Sequence, residues 1–174
     1  MPFLISAGQM DKHEMWTASH ALTKVWGGGI AECSCDDSPK KRINKLIHSA
    51  EMVVLFGDPG SYLPDEGSWM EALGAWRVPT ILVATPHSSG SMPGSAAAYA
   101  ALCDHLRIPL IGVVQFGGPW EPKQRFLDGL PWCGRIPVDV SIEKGNGDSL
   151  QESVELELEE LVGIMKRRFS TLKK

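Results

Sequence analysis

The sequence predicts an α/β protein: a three-layer, doubly wound parallel sheet of five strands, with a long C-terminal helix. Three observations predict it. Five short apolar runs alternate with segments of helical period. No internal repeat or low-complexity linker interrupts them, so one alternating unit accounts for the chain. The stretch Glu51 to Met70, EMVVLFGDPGSYLPDEGSWM, stays apolar up to Gly57, turns at Asp58-Pro59-Gly60 and opens a helix at Gly67-Ser68. In such a sheet, each strand delivers a loop to the carboxyl edge, where ligands bind.

Phe3 to Ala7, closed by Gly8, reads as a buried central strand. Asp11 to Glu14 can cap a helix that places Trp16, Ser19 and His20, Thr23, and Val25 and Trp26 at helical intervals before Gly27-Gly28-Gly29 ends it. Ile30 to Cys35 is the second strand. Ser38 can then cap, and Pro39 can take the first position of a helix running to about Ala50, its apolar stripe being Ile43, Leu46 and Ile47. Met52 to Phe56 is the third strand, and Ser68 to Trp76 a short helix with Trp69, Leu73 and Trp76 on one side; Pro79 breaks it. Thr80 to Ala84 is the fourth strand, followed by a long loop of small and polar residues and the Ala-rich helix Ser95 to Leu106. Ile108 to Phe116 is the fifth strand, ending at Gly117-Gly118-Pro119. Trp120 to Glu143 carries no clear pattern beyond a small extra strand over Arg135 to Ser141. A turn at 145–149 precedes the last helix, where Leu150, Val154, Leu158, Leu161, Met165, Phe169 and Leu172 recur at steps of three or four. That stripe either covers a sheet face or meets a second copy of itself.

At 174 residues, the chain is long enough for one full core, so residues 1–174 are expected to form a single domain. A formal charge of −4 supplies no electrostatic attraction for nucleic acid or an anionic membrane. No apolar run is long enough to span a bilayer, and the first residues carry no basic segment followed by a long apolar one, so a reducing cytoplasm is expected. Cys33 and Cys35, two apart in a strand, point to opposite faces and do not pair readily. Cys33, Asp36, Asp37 and the distant histidines lack the spacing of a metal site.

Three strand-to-helix loops are the candidate ligand site. The first, Ser6 through Gly8 to Lys12 and His13, ends at a helix N-terminus, which attracts anions. It lacks both the G-x-x-x-x-G-K-[ST] phosphate loop and the G-x-G-x-x-G fingerprint. Lys12 and His13 either contact a phosphate or are solvated. The second loop brings Tyr62 to the sheet edge between Pro59-Gly60 and Pro64, either to stack on a planar ring or to lid the core. Asp65, Glu66 and Glu71 stand where a helix start favours acids, which accounts for them by capping. The third loop offers Thr85, His87, Ser88, Ser89 and Gly90 as a source of hydroxyl and backbone donors. His87 lies near serines but without G-x-S-x-G or an acid partner, so no nucleophile constellation emerges and no catalytic residue is assigned.

GDPGSYLPDEGSWMEAL resembles the segment after the third strand of flavodoxin-like FMN and quinone reductases, with Pro59, Tyr62 and Gly67 in the matching places; VATPHSSGSMPGSAAAYAAL is similar to that family's next loop. The resemblance covers about residues 3 to 116. It implies a flavodoxin-like domain with FMN in the crevice of loops 6–16, 58–67 and 85–94. Tyr62 would stack on the flavin, the third loop would bond its rim, and hydride would pass from NAD(P)H to a quinone or similar acceptor. The residues so implied to hold the cofactor are Ser6, Gly8, Lys12, His13, Pro59, Gly60, Tyr62, Thr85, His87, Ser88, Ser89 and Gly90. Shorter resemblances point elsewhere. GQMDKHEMW looks like the D-x-H-x-x-G signature of cobalamin-binding domains, in Asp11 and His13. Residues 53–142 resemble the later half of dethiobiotin synthetase and related P-loop enzymes, and DEGSWMEALGA resembles a stretch of nucleoside deoxyribosyltransferases, which would make Glu71 a nucleophile. The alternative to a reductase is therefore a cobalamin- or nucleotide-binding module, or a cofactor-less binding or assembly protein that oligomerises through the 150–172 helix.

Overall fold

The computed structural model describes residues 2–8, 10–48, 51–138 and 148–172. Within them, six strands form one all-parallel sheet: β1 (Phe3–Ser6), β2 (Ile30–Ser34), β3 (Met52–Phe56), β4 (Thr80–Ala84), β5 (Leu110–Phe116) and β6 (Trp132–Ile136). Every residue of β1, β3 and β4 is buried, as expected for parallel strands covered on both faces, whereas β2 and β6 are mixed and take the edges. The helices are α1 (Lys12–Trp26), α2 (Pro39–Ile47), α3 (Trp69–Ala75), α4 (Gly94–His105), α5 (Pro122–Leu127) and α6 (Asp148–Thr171).

Local chemistry starts the first three helices. The Asp11 carboxylate accepts the His13 N–H at 2.7 Å, and the Ser38 hydroxyl accepts the Lys41 N–H ahead of Pro39. Ser68 and Glu71 form a reciprocal capping box: Glu71 N–H donates to Ser68 Oγ at 3.2 Å, and Ser68 N–H donates back to Glu71 Oε2 at 2.7 Å. Glu71 is thereby a structural acid, as its place at a helix start foretold.

Each strand sorts its side chains to two faces. Phe3, Ile5, Val53 and Leu55 meet Ile43 of α2, Trp69 and Leu73 of α3 and Ala96 and Cys103 of α4 in one core. Leu4, Val54, Ile81 and Val83 meet Met15 and Leu22 of α1 and Leu158, Leu161 and Met165 of α6 in the other. The three layers are those the sequence predicts, and so is the long last helix. Its stripe is spent on its own sheet: Leu158, Leu161, Val162 and Met165 are at most 4% exposed. Each such side chain contributes about 1.5–3 kcal/mol by burial. Arg135 Nε, 3.0 Å from Glu157, and Arg168, donating to the Pro131 and Trp132 carbonyls at 2.8 and 3.0 Å, fasten α6 to β6. Of the other described residues of that stripe, Val154 and Phe169 are partly buried and Leu172 is 42% exposed.

Four expectations are corrected. The sheet has six strands, because the unread region after Pro119 holds α5 and β6. The α5 helix is only six residues long and leaves Phe126 and Leu127 85% and 78% exposed, so it has no amphipathic stripe to recognise. The extra strand lies at Trp132–Ile136, ahead of the Arg135–Ser141 expected, with Gly134 at φ 146° breaking its apolar pattern. The strand order is β2-β3-β1-β4-β5-β6, where a flavodoxin has 2-1-3-4-5. Trp76, expected on the buried side of its helix, is 49% exposed because α3 ends at Ala75. The helix end at Ala50, the 139–141 end of the extra strand, the turn at 145–147 and the Leu150 side chain fall outside the described residues.

Gly112 of β5 sits where β6 and α6 close in. A Cβ there would lie 2.7 Å from the Pro131 carbonyl oxygen and 2.7 Å from Arg168 Nη1, and against Cys133 Sγ. Since a backbone carbonyl cannot swing aside, Gly112→Ala is expected to destabilise the protein by about 1–3 kcal/mol, read as a lower urea midpoint.

Candidate functional site

Strand β1 is where the winding reverses. Its connection to β2 passes over one face of the sheet through α1, while β3 connects to β4 and β4 to β5 across the other, through α3 and α4. Because β1 lies between β3 and β4, the loops on either side of its carboxyl end diverge from it, which is the condition for a crevice. Two crevices open there, of about 590 and 480 Å³. The larger is within the size range of sites for small organic ligands.

The larger crevice lies between the first two turns of α1 and the loops after β4 and β5. His13, Glu14, Trp16 and Thr17 form one side, Thr85 to Ser88 another, and Phe116 to Pro119 with Val138 close it. Trp16 is 43% exposed although it is large and apolar. Its indole stacks on His20 at 3.8 Å between ring centroids and on His13 at 6.3 Å. In the same lining, the Thr85 hydroxyl oxygen is buried without a hydrogen-bond partner in the protein. Such an oxygen costs about 1–3 kcal/mol unless something else satisfies it.

The wall after β5 is held in place. Gly117 and Gly118 both have φ of +66°, and a Cβ on them would strike Val138 and Pro86, so only glycine lets these loops close on each other. The fully buried Gln115 donates through Nε2 to the Gly117 and Pro119 carbonyls at 2.6 and 3.0 Å. Arg125, 3% exposed, donates through Nη2 to the Gly90 carbonyl at 3.0 Å and lies over the Trp132 ring at 5.1 Å. Its Nε comes within 3.3 Å of Asp128 but without the alignment of a hydrogen bond. The loop after β4 is thus tied to α5 from behind and to itself by His87 N–H donating to the Ser91 carbonyl at 2.9 Å.

The smaller crevice, on the β2 and β3 side, is acidic: Glu32, Asp36, Asp37 and Asp58 line it with Lys12, whose ammonium lies 5.3 Å from the centre of the Phe56 ring. Arg42 pairs with Asp37 at 3.4 Å. Asp58 accepts hydrogen bonds from the Tyr99 hydroxyl and from the Gly60 N–H, so the loop after β3 is tied to α4. Burial first, then the hydrogen bond to Asp58 and the Asp58 charge, push the Tyr99 phenol well above its ordinary value and keep it a donor. Burial, followed by the Asp58 charge, pushes the Cys35 thiol up to about 12, and burial also raises Cys33. Neither is a ready nucleophile.

Of the residues expected to bind a ligand, the structure gathers His13, Thr85, His87 and Ser88 in the larger crevice and puts Lys12 in the smaller. Ser6 is buried and spends its hydroxyl on the Gly57 carbonyl at 3.0 Å, joining β1 to the end of β3. Gly8, at φ 97°, brings the first loop onto Ser95 of α4. Pro59 is buried, and its carbonyl accepts the Met70 N–H at 3.1 Å. Gly60 lies against the Tyr99 hydroxyl, Ser89 bonds Ser91 at 2.8 Å, and Gly90 is buried under Arg125. Tyr62 is 70% exposed and lines neither crevice. The single crevice expected from three converging loops is split because β3 lies beyond β1 from β4, which puts the 58–67 and 85–94 loops on opposite sides of β1. Sequence reasoning missed Trp16, which looked like one more helical-interval apolar residue, and the Gly117-Gly118-Pro119 loop, whose consecutive glycines after a buried strand were the available signal.

The sequence matches no family model and no curated protein. The fold is similar to the solved structure of the cell division ATPase MinD of Pyrococcus furiosus, with a TM-score of 0.61 over 96% of this chain and 99% of that one, at 12% identity. At that identity, the likeness establishes a parallel, doubly wound α/β fold shared with an ATPase and carries no flavin chemistry.

The buried thiols make a pH prediction. Cys35 and Cys103 are both raised by burial from 9.0 to about 12, so the folded state disfavours their thiolates. The stability this represents is complete below about pH 9 and is lost as the pH rises toward 12. Urea midpoints should fall over that range, and a thiol reagent at about pH 8 should label the folded protein far more slowly than the unfolded one.

Proposed function

We propose that this chain is a binding module for a flat-ring ligand of the nucleotide class, a base, nucleoside or flavin, and that it does not hydrolyse phosphate anhydrides. The observation that carries the reading is the larger crevice: an exposed Trp16 and a Phe116 wall beside the unpartnered Thr85 hydroxyl, at the reversal point of the sheet. An aromatic face offers a ring about 1–3 kcal/mol of stacking, and the lone hydroxyl offers it one fixed hydrogen bond. The similar protein is an ATPase, and its fold supports a nucleotide-class ligand at this edge. The loss of hydrolysis is argued from the first loop, SAGQMDKHEMW, which has none of the glycine-lysine pattern that cradles a triphosphate. The FMN reductase reading is weaker than the ring-binding one, because the Tyr62 that would stack on a flavin stands in solvent away from both crevices.

The test is titration with adenosine, guanosine and riboflavin, read by tryptophan emission in the wild type and in Trp16→Leu, together with phosphate release from ATP and Mg²⁺. Saturable quenching by one of these rings is expected, weakened about tenfold or more in the variant, with no phosphate released. Quenching that persists unchanged in Trp16→Leu would move the ligand out of this crevice, and steady ATP turnover would overturn the non-hydrolytic reading.

A further inference from the structure

We infer that the larger crevice takes its ring ligand without a phosphate, as a free base or nucleoside, and discriminates against the phosphorylated form; this deepens the ring-binding reading above and rests on it. Charge sets the preference. Among the described residues lining the crevice, none is Lys or Arg, and Glu14 is the one carboxylate. The N-terminus of α1, where free backbone N–H groups would attract a phosphate, is already served by an anion: Asp11 Oδ1 holds the His13 N–H at 2.7 Å. Glu14 adds a second negative charge in the same turn. Lys12, the basic residue of this loop, lines the other crevice, its ammonium over the Phe56 ring among four acids. Arg125 stands behind the loop after β4, 3% exposed and donating to the Gly90 carbonyl. Among the described residues, a phosphate entering this crevice would therefore meet the Glu14 carboxylate, with Asp11 behind it at the helix start, and neither lysine nor arginine.

The neutral features suit an uncharged ring. Trp16, stacked on His20 and His13, and Phe116 line the crevice with aromatic surface, Gly117 and Gly118 add no side chain to it, and the buried Thr85 hydroxyl has no hydrogen-bond partner in the protein. A ring nitrogen, carbonyl or exocyclic amine would complete it.

The experiment compares paired probes at about pH 8, above the ordinary histidine range: adenosine with ATP, guanosine with GTP and riboflavin with FMN, each without added metal. The unphosphorylated partner of at least one pair is expected to bind about tenfold or more tightly than its phosphorylated form. Thr85→Val should weaken the unphosphorylated probe about tenfold, since it keeps the shape and removes the hydroxyl. Asp11→Asn keeps a good helix cap while removing the charge. It should narrow the gap between paired probes and leave the nucleoside affinity unchanged, with an unaltered urea midpoint showing that the fold is intact. Phosphorylated probes that bind as tightly as their partners, or more so, overturn this inference and leave the ring-binding reading standing. Failure of every probe, phosphorylated or not, to bind overturns both.

Discussion

Strand β1 hydrogen-bonds to two strands at once, pairing Phe3, Leu4 and Ile5 with Val53, Val54 and Leu55 on one side and with Thr80, Ile81 and Leu82 on the other. With all four of its residues buried and both edges paired, it has no freedom of register. Everything at the functional edge inherits that constraint. The chain leaves β1 over one face of the sheet and returns from β3 over the other, so the carboxyl end of β1 is left open between diverging connections. Ser6 marks the last point at which this strand is still interior: its hydroxyl caps the Gly57 carbonyl, and beyond it the chain turns out at Gly8.

The walls around that opening are expensive. Burying a guanidinium such as Arg125 costs several kcal/mol unless it is paired and hydrogen-bonded, and here it meets a carboxylate, a carbonyl and an indole face. Gln115 is fully buried with its carbonyl oxygen unpartnered. Such groups add little net stability. Their effect is to fix the Gly90 and Gly117–Pro119 backbones against each other, so the crevice is formed before any ligand arrives and a ligand need not supply the ordering.

The electrostatics of the edge depart from what a phosphate-binding version of this fold requires. The same helix N-terminus that would hold an anion is capped by Asp11, and the neighbouring crevice concentrates acids around Lys12. Side-chain carboxylates and bound phosphates compete for the same N–H groups, and the carboxylate is covalently present at all times.

Much of the architecture was legible in the residues. Strands that are apolar throughout, the caps Asp11 and Ser38, the capping acid Glu71, and the amphipathic stripe of α6 each announce themselves locally, because burial on both faces and helix starts impose their residue types directly. So did the loops that carry His13, Thr85, His87 and Ser88. The sixth strand did not, since α5 is only six residues long with Phe126 and Leu127 outward and β6 is an edge strand with a glycine inside it. Above all, the order of strands was decided only in three dimensions. An alternating pattern says that each strand is followed by a helix, but not which neighbour it will pair with, because parallel pairing is set by how side chains of distant segments fit across the sheet. That choice put β3 and β4 on opposite sides of β1, set Tyr62 apart from Thr85, and brought Trp16 and the Gly117-Gly118 loop to the opening instead.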